Sequence, residues 1–276
     1  MIKFRKIAIV GIGLIGGSLG LALKKKRFAG TIVGVSRSRQ TLRRSLSLKA
    51  VDEASQDLSL VKDAQMLILA TPVETICTLA PKLREYLNDD CIVTDVGSTK
   101  SEIVSNLEKI FPNFVGSHPL AGSEKHGVAF ARADLFKDSL CLVTPDKNTD
   151  SRALNQVINL WHTVGARTQK ISPEEHDKAL SLVSHLPHIL AFSLMQAVPQ
   201  EYLKFAARGL RDTTRIAGSD SLLWQDIFLS NRGNILKSIE IFEQKLAFLK
   251  KAIQTRDSLL LKKFLEQARK KRDSLL

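Results

Sequence analysis

A chain of 276 residues, 44% of them hydrophobic, has the length for two ordinary domains and the apolar content for a sizeable core, which excludes a disordered protein. The net charge of +13 favours anionic ligands, but the cations are spread along the chain and only two Tyr and two Trp occur, which argues against a nucleic-acid platform. Cys77, Cys91 and Cys141 are odd in number, far apart and set in apolar surroundings, so they read as buried thiols of a reducing compartment, with no metal site among them.

Lys3, Arg5 and Lys6 precede an uncharged run from Ile7 to Leu23, the outline of a signal peptide or a short membrane span. Glycines at 11, 13, 16, 17 and 20 interrupt that run, and Lys24-Lys25-Lys26-Arg27 follows it in place of a small-residue cleavage site. A buried strand and helix account for it better, and the expected location is the cytoplasm with no membrane contact. Candidate strands are Lys6–Val10, Thr31–Ser36, Met66–Thr71, Cys91–Val96, Phe114–Ser117, Ser139–Thr144 and Ala166–Ile171. Helical spacing fills 14–26, 38–48, 73–87, 99–110 and 150–163. Continuous apolar strands, each followed by a helix, predict an α/β fold with a Rossmann-like, doubly wound, mostly parallel sheet.

Ser172-Pro173-Glu174-Glu175 is a helix start: a capping Ser, Pro in the first turn, and acids favoured by the helix dipole. From there to Leu276 the periodicity is helical, as in Ile235, Ile239, Phe242, Leu246, Leu249 and Ile253, with one glycine-bearing break between Gly209 and Gly218. The chain therefore divides into a dinucleotide-binding domain, 1–171, and an all-α domain, 172–276, whose helices pair within the chain or with another copy.

Lys6–Val10 runs straight into Gly11-Ile12-Gly13-Leu14-Ile15-Gly16, and a helix follows. In that context the three glycines give the tight turn, the close approach to a pyrophosphate and the close packing of helix on strand. Gly11, Gly13, Leu14, Ile15 and Gly16 are the expected cofactor contacts, joined by Thr71 and Pro72 at the end of the third candidate strand. The second strand ends in Ser36-Arg37-Ser38-Arg39, where an enzyme using NAD carries an acid for the ribose hydroxyls. Ser36 and Arg37 suit a 2′-phosphate by charge-assisted hydrogen bonds, so NADP is the preferred cofactor, with NAD as the alternative. On the bland reading Arg37 and Arg39 only begin a solvated helix.

Three motifs remain. Asp95-Val96-Gly97-Ser98-Thr99-Lys100 stands at a strand end, where ligands of parallel sheets sit; Ser98 is a polar contact there, or a cap of the next helix. Gly116-Ser117-His118-Pro119-Leu120-Ala121-Gly122-Ser123-Glu124-Lys125 sets His118 directly after a strand and before a Pro-Gly loop. Ser184-His185-Leu186-Pro187-His188 and Arg211-Asp212-Thr213-Thr214-Arg215-Ile216-Ala217 lie in the helical half, the first open to reading as a core His, the second as an internal ion network.

Together with Trp224-Gln225-Asp226-Ile227, these motifs resemble, in order and over nearly the whole chain, the prephenate/arogenate dehydrogenase family of tyrosine biosynthesis. The resemblance implies oxidative decarboxylation of a cyclohexadienol, with hydride passing from ring C4 to the nicotinamide, and a homodimer built through the helical domain. It implies His118 as the base for the 4-hydroxyl, and Ser98 as a hydrogen bond to that hydroxyl or an orienter of His118. Arg215 would grip the ring carboxylate, and His185 would touch the nicotinamide side or the substrate. Ser123 and Glu124 would gate the pocket, and Asp212 would position neighbouring arginines. Aromatisation drives the loss of CO2, so no metal is required. The surroundings of Glu124 favour prephenate, with L-arogenate as the alternative. The chain shows neither a mutase nor a regulatory domain and is expected to be monofunctional, and the stretch from Met195 to Gly209 is short for the family. Two rivals are a β-hydroxyacid dehydrogenase, which relies on a Lys where this chain has SHLPH, and a non-catalytic NADP-binding regulator, for which no helix-turn-helix or basic stripe is evident.

Overall fold

The computed structural model describes residues 4–123 and 125–275. Its strands are β1 (Lys6–Val10), β2 (Thr31–Val35), β3 (Glu53–Ser55), β4 (Met66–Leu69), β5 (Ile92–Asp95), β6 (Phe114–Pro119), β7 (Leu140–Thr144) and β8 (Arg167–Lys170). They form one sheet in the order β3-β2-β1-β4-β5-β6-β7-β8. The order reverses between β1 and β4, which opens a crevice at their carboxyl ends. Helices α1 (Leu14–Lys25), α2 (Arg39–Ser47), α3 (Val73–Arg84), α4 (Ser101–Leu107) and α5 (Ser151–Thr163) complete this half.

Burial on both faces explains the continuous apolar strands. Along β1 and β4, Ile7, Ile9, Met66 and Ile68 enter one core, while Ala8, Val10, Leu67 and Leu69 enter the other. The N-terminal run suspected of being a leader is thus β1 and most of α1, with Ile7 and Leu23 fully buried. Two features were not anticipated. β3 is a three-residue polar edge strand that pairs parallel with β2 and carries no hydrophobic pattern. β7 runs antiparallel to β6, pairing His118 with Leu142, so His118 belongs to the strand and does not follow it.

After β8 the described residues are helical: α6 (Pro173–Leu180), α7 (Leu186–Ala197), α8 (Arg208–Thr214), α9 (Ser221–Ser230), α10 (Arg232–Gln254) and α11 (Ser258–Asp273). Ser172 starts α6 as expected, its hydroxyl accepting from Glu175 N at 3.2 Å. A π-helical turn, Ser181–His185, joins α6 to α7. Its physical cause is Pro187, which has no N–H to give the preceding turn and so opens the i→i−4 ladder. The break is not confined to Gly209–Gly218. Helix α7 ends before Val198, held extended (φ −87, ψ 117) by Pro199, and Gly209 lies inside α8.

Pro173–Ala197 is long and apolar enough to cross a membrane by length and composition alone. Its His176, Asp177 and His185 are buried and hydrogen-bonded to other parts of the protein. Compactness divides the chain into one unit ending at Asn231 and another beginning at Arg232, later than the change of pattern at residue 171. The first unit extends that far because α6 and α9 bond to the sheet half through Asp177 and Asp226. In the second unit Asp257 caps α11 and Phe248 stacks on Phe264, with ring centroids 5.6 Å apart.

Candidate active site

The glycine turn is shaped for a phosphate. Gly11 sits at φ +97, where a Cβ would lie 2.3 Å from Ala70 O, and a Cβ on Gly16 would lie 2.1 Å from Gly11 O. Gly13 has nothing within 4 Å of that position and faces an open cleft. The first turn of α1 has no capping side chain and no acid, so its amides stay available to an anion. The buried Thr71 hydroxyl, beside Gly11, has no hydrogen-bond partner among the described residues. These residues fit a dinucleotide.

At the end of β2, Ser36 Oγ accepts from Ser38 N at 3.3 Å, and Gln56 donates to Arg37 O at 2.6 Å. Arg39 is the first residue of α2 and is tied to Gln56 at 3.3 Å, which is the bland role considered for it. Arg37 is exposed and outside any helix.

The cleft has a volume of ≈ 1360 Å³, above the roughly 300–1,000 Å³ of a site for one small ligand. Leu14, Ile15, Pro72, Ser98, Ser123 and His118 line it from the sheet half, and His185 and Arg215 from the helices. Ser36, Arg37 and Asp212 lie outside its walls, Asp212 being exposed on α8. Glu124 lies outside the described residues.

His118 is the end of a buried chain. Its Nδ1 is 2.9 Å from His176 Nε2, and His176 Nδ1 is 2.8 Å from Asp177 Oδ1. Asp177 also accepts from the backbone amides of Lys100 (2.7 Å) and Ser101 (2.8 Å). Burial pushes its pKa up, but these bonds outweigh burial and hold it below the usual carboxylate value. An ionised Asp177 can only accept, so His176 Nδ1 donates and its Nε2 accepts from His118 Nδ1–H. His118 Nε2, with no hydrogen-bond partner among the described residues, therefore carries a lone pair.

Desolvation, followed by the neighbouring His176, Lys100 and His185, lowers the pKa of His118 well below its ordinary value. Beneath it the fully buried Lys100–Asp95 ion pair joins two amides, Gly97 N at 2.7 Å and Ser117 N at 3.2 Å from the Asp95 carboxylate. That ties the Ser98 loop to the strand carrying His118.

The helical wall is equally specified. Asn231 Nδ2 donates to Asp177 O at 2.7 Å, which fixes its amide orientation, and lies 3.2 Å from His185 Nδ1. That nitrogen must accept, so His185 carries its proton on Nε2. Burial depresses its pKa to about 4. His188 stacks on Trp224, with centroids 3.5 Å apart, and donates from Nδ1 to Ser184 O at 3.0 Å. Desolvation comes first and the nearby Arg215 charge also contributes in lowering its pKa.

Sequence reasoning singled out His118, Ser98, His185 and Arg215, which line one cleft, quoted His188 in its motif without a role, and missed His176, Asp177 and Asn231. The signal for two of these was present. Pro173, His176, Asp177 and Leu180 occupy i, i+3, i+4 and i+7 of α6 and are all buried, so a His–Asp pair stands on a core stripe.

Comparison with known proteins agrees with this geometry. The family model described as the nucleotide-binding domain of prephenate dehydrogenase matches residues 19–170, and that of its dimerization domain matches residues 172–267. Prephenate dehydrogenase of Bacillus subtilis (strain 168) is 38% identical over 280 residues, covering 98% of this chain and 76% of that protein. Cyclohexadienyl dehydrogenase of Zymomonas mobilis is 33% identical over 285 residues, covering 100% of this chain and 97% of that protein. The crystal structure of prephenate dehydrogenase from A. aeolicus in complex with hydroxyphenyl propionate and NAD+ matches with a TM-score of 0.95 and 36% identity, covering 100% of this chain and 99% of that one.

Proposed function

Because the chain belongs to the prephenate dehydrogenase family, an NAD(P)-dependent oxidoreductase family, we propose that it catalyses the oxidative decarboxylation of prephenate to 4-hydroxyphenylpyruvate. The observation that carries this reading is the Asp177–His176–His118 chain, which turns a neutral imidazole lone pair into a cleft shared with the glycine turn. When bound, the nicotinamide supplies the acceptor for the hydride of ring C4. His118 Nε2 takes the proton of the 4-hydroxyl, and Ser98 hydrogen-bonds the same oxygen. With His118 Nδ1 already held by His176, Ser98 is left to the substrate.

Arg215 grips the ring carboxylate with its planar fork, and the Nε2–H of His185 donates to the bound ligands. Ser123, which lines the cleft, and Glu124 gate the pocket, and Asp212 acts on neighbouring arginines. L-Arogenate is a second reading, favoured by the likeness to a cyclohexadienyl dehydrogenase.

Gly11, Gly13, Leu14, Ile15, Gly16, Thr71 and Pro72 hold the dinucleotide, and Ser36 with Arg37 favours NADP over NAD. Residues 1–171 form the dinucleotide-binding domain, which also carries His118 and Ser98, and 172–276 serve substrate binding and assembly, a division supported by the ranges of the two family matches. The partner is a second copy, supported by the dimerization-domain match and by exposed Leu246, Phe248, Ile253, Leu259 and Leu265 on α10 and α11. A cytoplasmic setting is supported by three free thiols, two of them buried.

Initial rates with prephenate or L-arogenate, each with NAD or NADP, test the reading, and Arg37→Ala should selectively raise KM for NADP. Turnover of neither substrate refutes the activity. A wild-type preference for NAD, or an unchanged KM for NADP in Arg37→Ala, refutes the cofactor assignment.

A further inference from the structure

Helix α3 begins without a cap of its own. Its N-cap residue is Pro72, which has no side chain able to accept a hydrogen bond. The missing acceptor arrives from α9: Asp226 Oδ2 is 2.5 Å from Val73 N, and Oδ1 is 3.3 Å from Glu74 N. One turn further along the same face of α9, Ser230 Oγ lies 3.0 Å from Thr99 Oγ1, in the loop that carries Ser98. A single helix is therefore fastened at two points to the two loops that line the sheet side of the cleft. Between those points α9 also contributes the cleft-lining residues Ile227 and Leu229.

We propose that Asp226 is a positioning residue, a cap supplied across the cleft that orders the Thr71-Pro72-Val73 turn and sets the cleft width for the dinucleotide. Without it the Val73 and Glu74 amides lose their acceptor, the first turn of α3 frays, and Thr71 is no longer held against Gly11. The proposal rests on the dinucleotide reading of the cleft and is independent of which substrate is oxidised.

The test uses the full chain. NAD+ and NADP+ are titrated without substrate into wild type, Asp226→Ala and Asp226→Asn, and amide hydrogen exchange is followed at residues 73 and 74. Asp226→Ala should bind nucleotide about tenfold more weakly, and Asp226→Asn should stay within about threefold of wild type, because its carbonyl oxygen still accepts from Val73 N and only the longer contact to Glu74 N is lost. In wild type the two amides should be protected, and in Asp226→Ala they should exchange faster. Unprotected amides in wild type overturn the proposal even where Asp226→Ala does not fold. So does an unchanged nucleotide affinity in folded Asp226→Ala, or an Asn variant as weak as the Ala variant. Wild type that binds neither nucleotide overturns the dinucleotide reading itself, an outcome distinct from the others.

Discussion

His118 Nδ1 and His176 Nε2 are 2.9 Å apart, with the two rings tilted by 58°, and the hydrogen between them belongs to His118. This follows from Asp177, whose carboxylate commits the other nitrogen of His176 to donating. His176→Leu should therefore lower kcat by about 10²-fold while leaving KM for prephenate within about threefold, because it frees the ring that must act as base. His176→Gln should recover part of the loss, since its side-chain carbonyl can accept from His118. His118→Asn should cost more than either. Steady-state rates decide, and a wild-type kcat in His176→Leu would remove the chain from the chemistry.

The same surroundings fix the pH dependence. Desolvation and neighbouring positive charge disfavour the imidazolium of His118, so the base stays neutral well below its ordinary value of 6.5. A plot of log kcat/KM against pH should stay level down through 6.5 and bend only in more acid solution. A half-maximal point at or above 6.5 would contradict the burial argument.

Much of this was legible in the sequence, and what was hidden has physical reasons. Strands β1 and β4 show as continuous apolar runs because both faces are covered. Glu53–Ser55 does not, since an edge strand of three residues needs no apolar face. Strand direction leaves no compositional mark, so β7 gave no sign of running antiparallel. His118 and Arg215 stood in motifs, whereas His176 and Asp177 were absorbed into the acids of a helix start. The bond from Asp226 to Val73 spans 153 residues and has no local signal beyond Pro72 at a position that prefers a capping side chain.

Stability should also fall with pH. The pKa values of His118, His176, His185 and His188 are all lowered in the fold, with burial the leading cause in each. Below 6.5 the unfolded chain takes up protons that the folded chain refuses, so stability declines as pH falls from that point. Asp177 adds a further loss only below its ordinary value of 3.8, as its lowered pKa is reached. Thermal melts at pH 7.5, 6 and 5 should show a progressive drop in Tm, reduced in His185→Asn. A level Tm across that range would rule out buried neutral histidines.

Arg215 bears on substrate binding. Replacing it with Ala should raise KM for prephenate by about 30- to 100-fold, the order expected for a charge-assisted pair of hydrogen bonds. KM for the nucleotide should hold. Arg215→Lys keeps the charge but loses the planar fork, so it should fall between Ala and wild type. An unchanged prephenate KM in Arg215→Ala would assign the carboxylate to another group.

The Lys100–Asp95 pair, with both side chains fully buried, links stability to the site. Removing one partner strands a charge. Lys100→Met leaves Asp95 with only the Gly97 and Ser117 amides, and should destabilise the fold by about 3–5 kcal/mol in urea unfolding. Adding Asp95→Asn should recover a large share, because the double variant buries no ion. If the two losses simply add, the pair is not coupled as its geometry requires. A second readout reaches His118, whose pKa the Lys100 charge helps to lower. In folded Lys100→Met the acid limb of kcat/KM should move towards 6.5, and a limb that stays where it is would leave Lys100 with a purely architectural role.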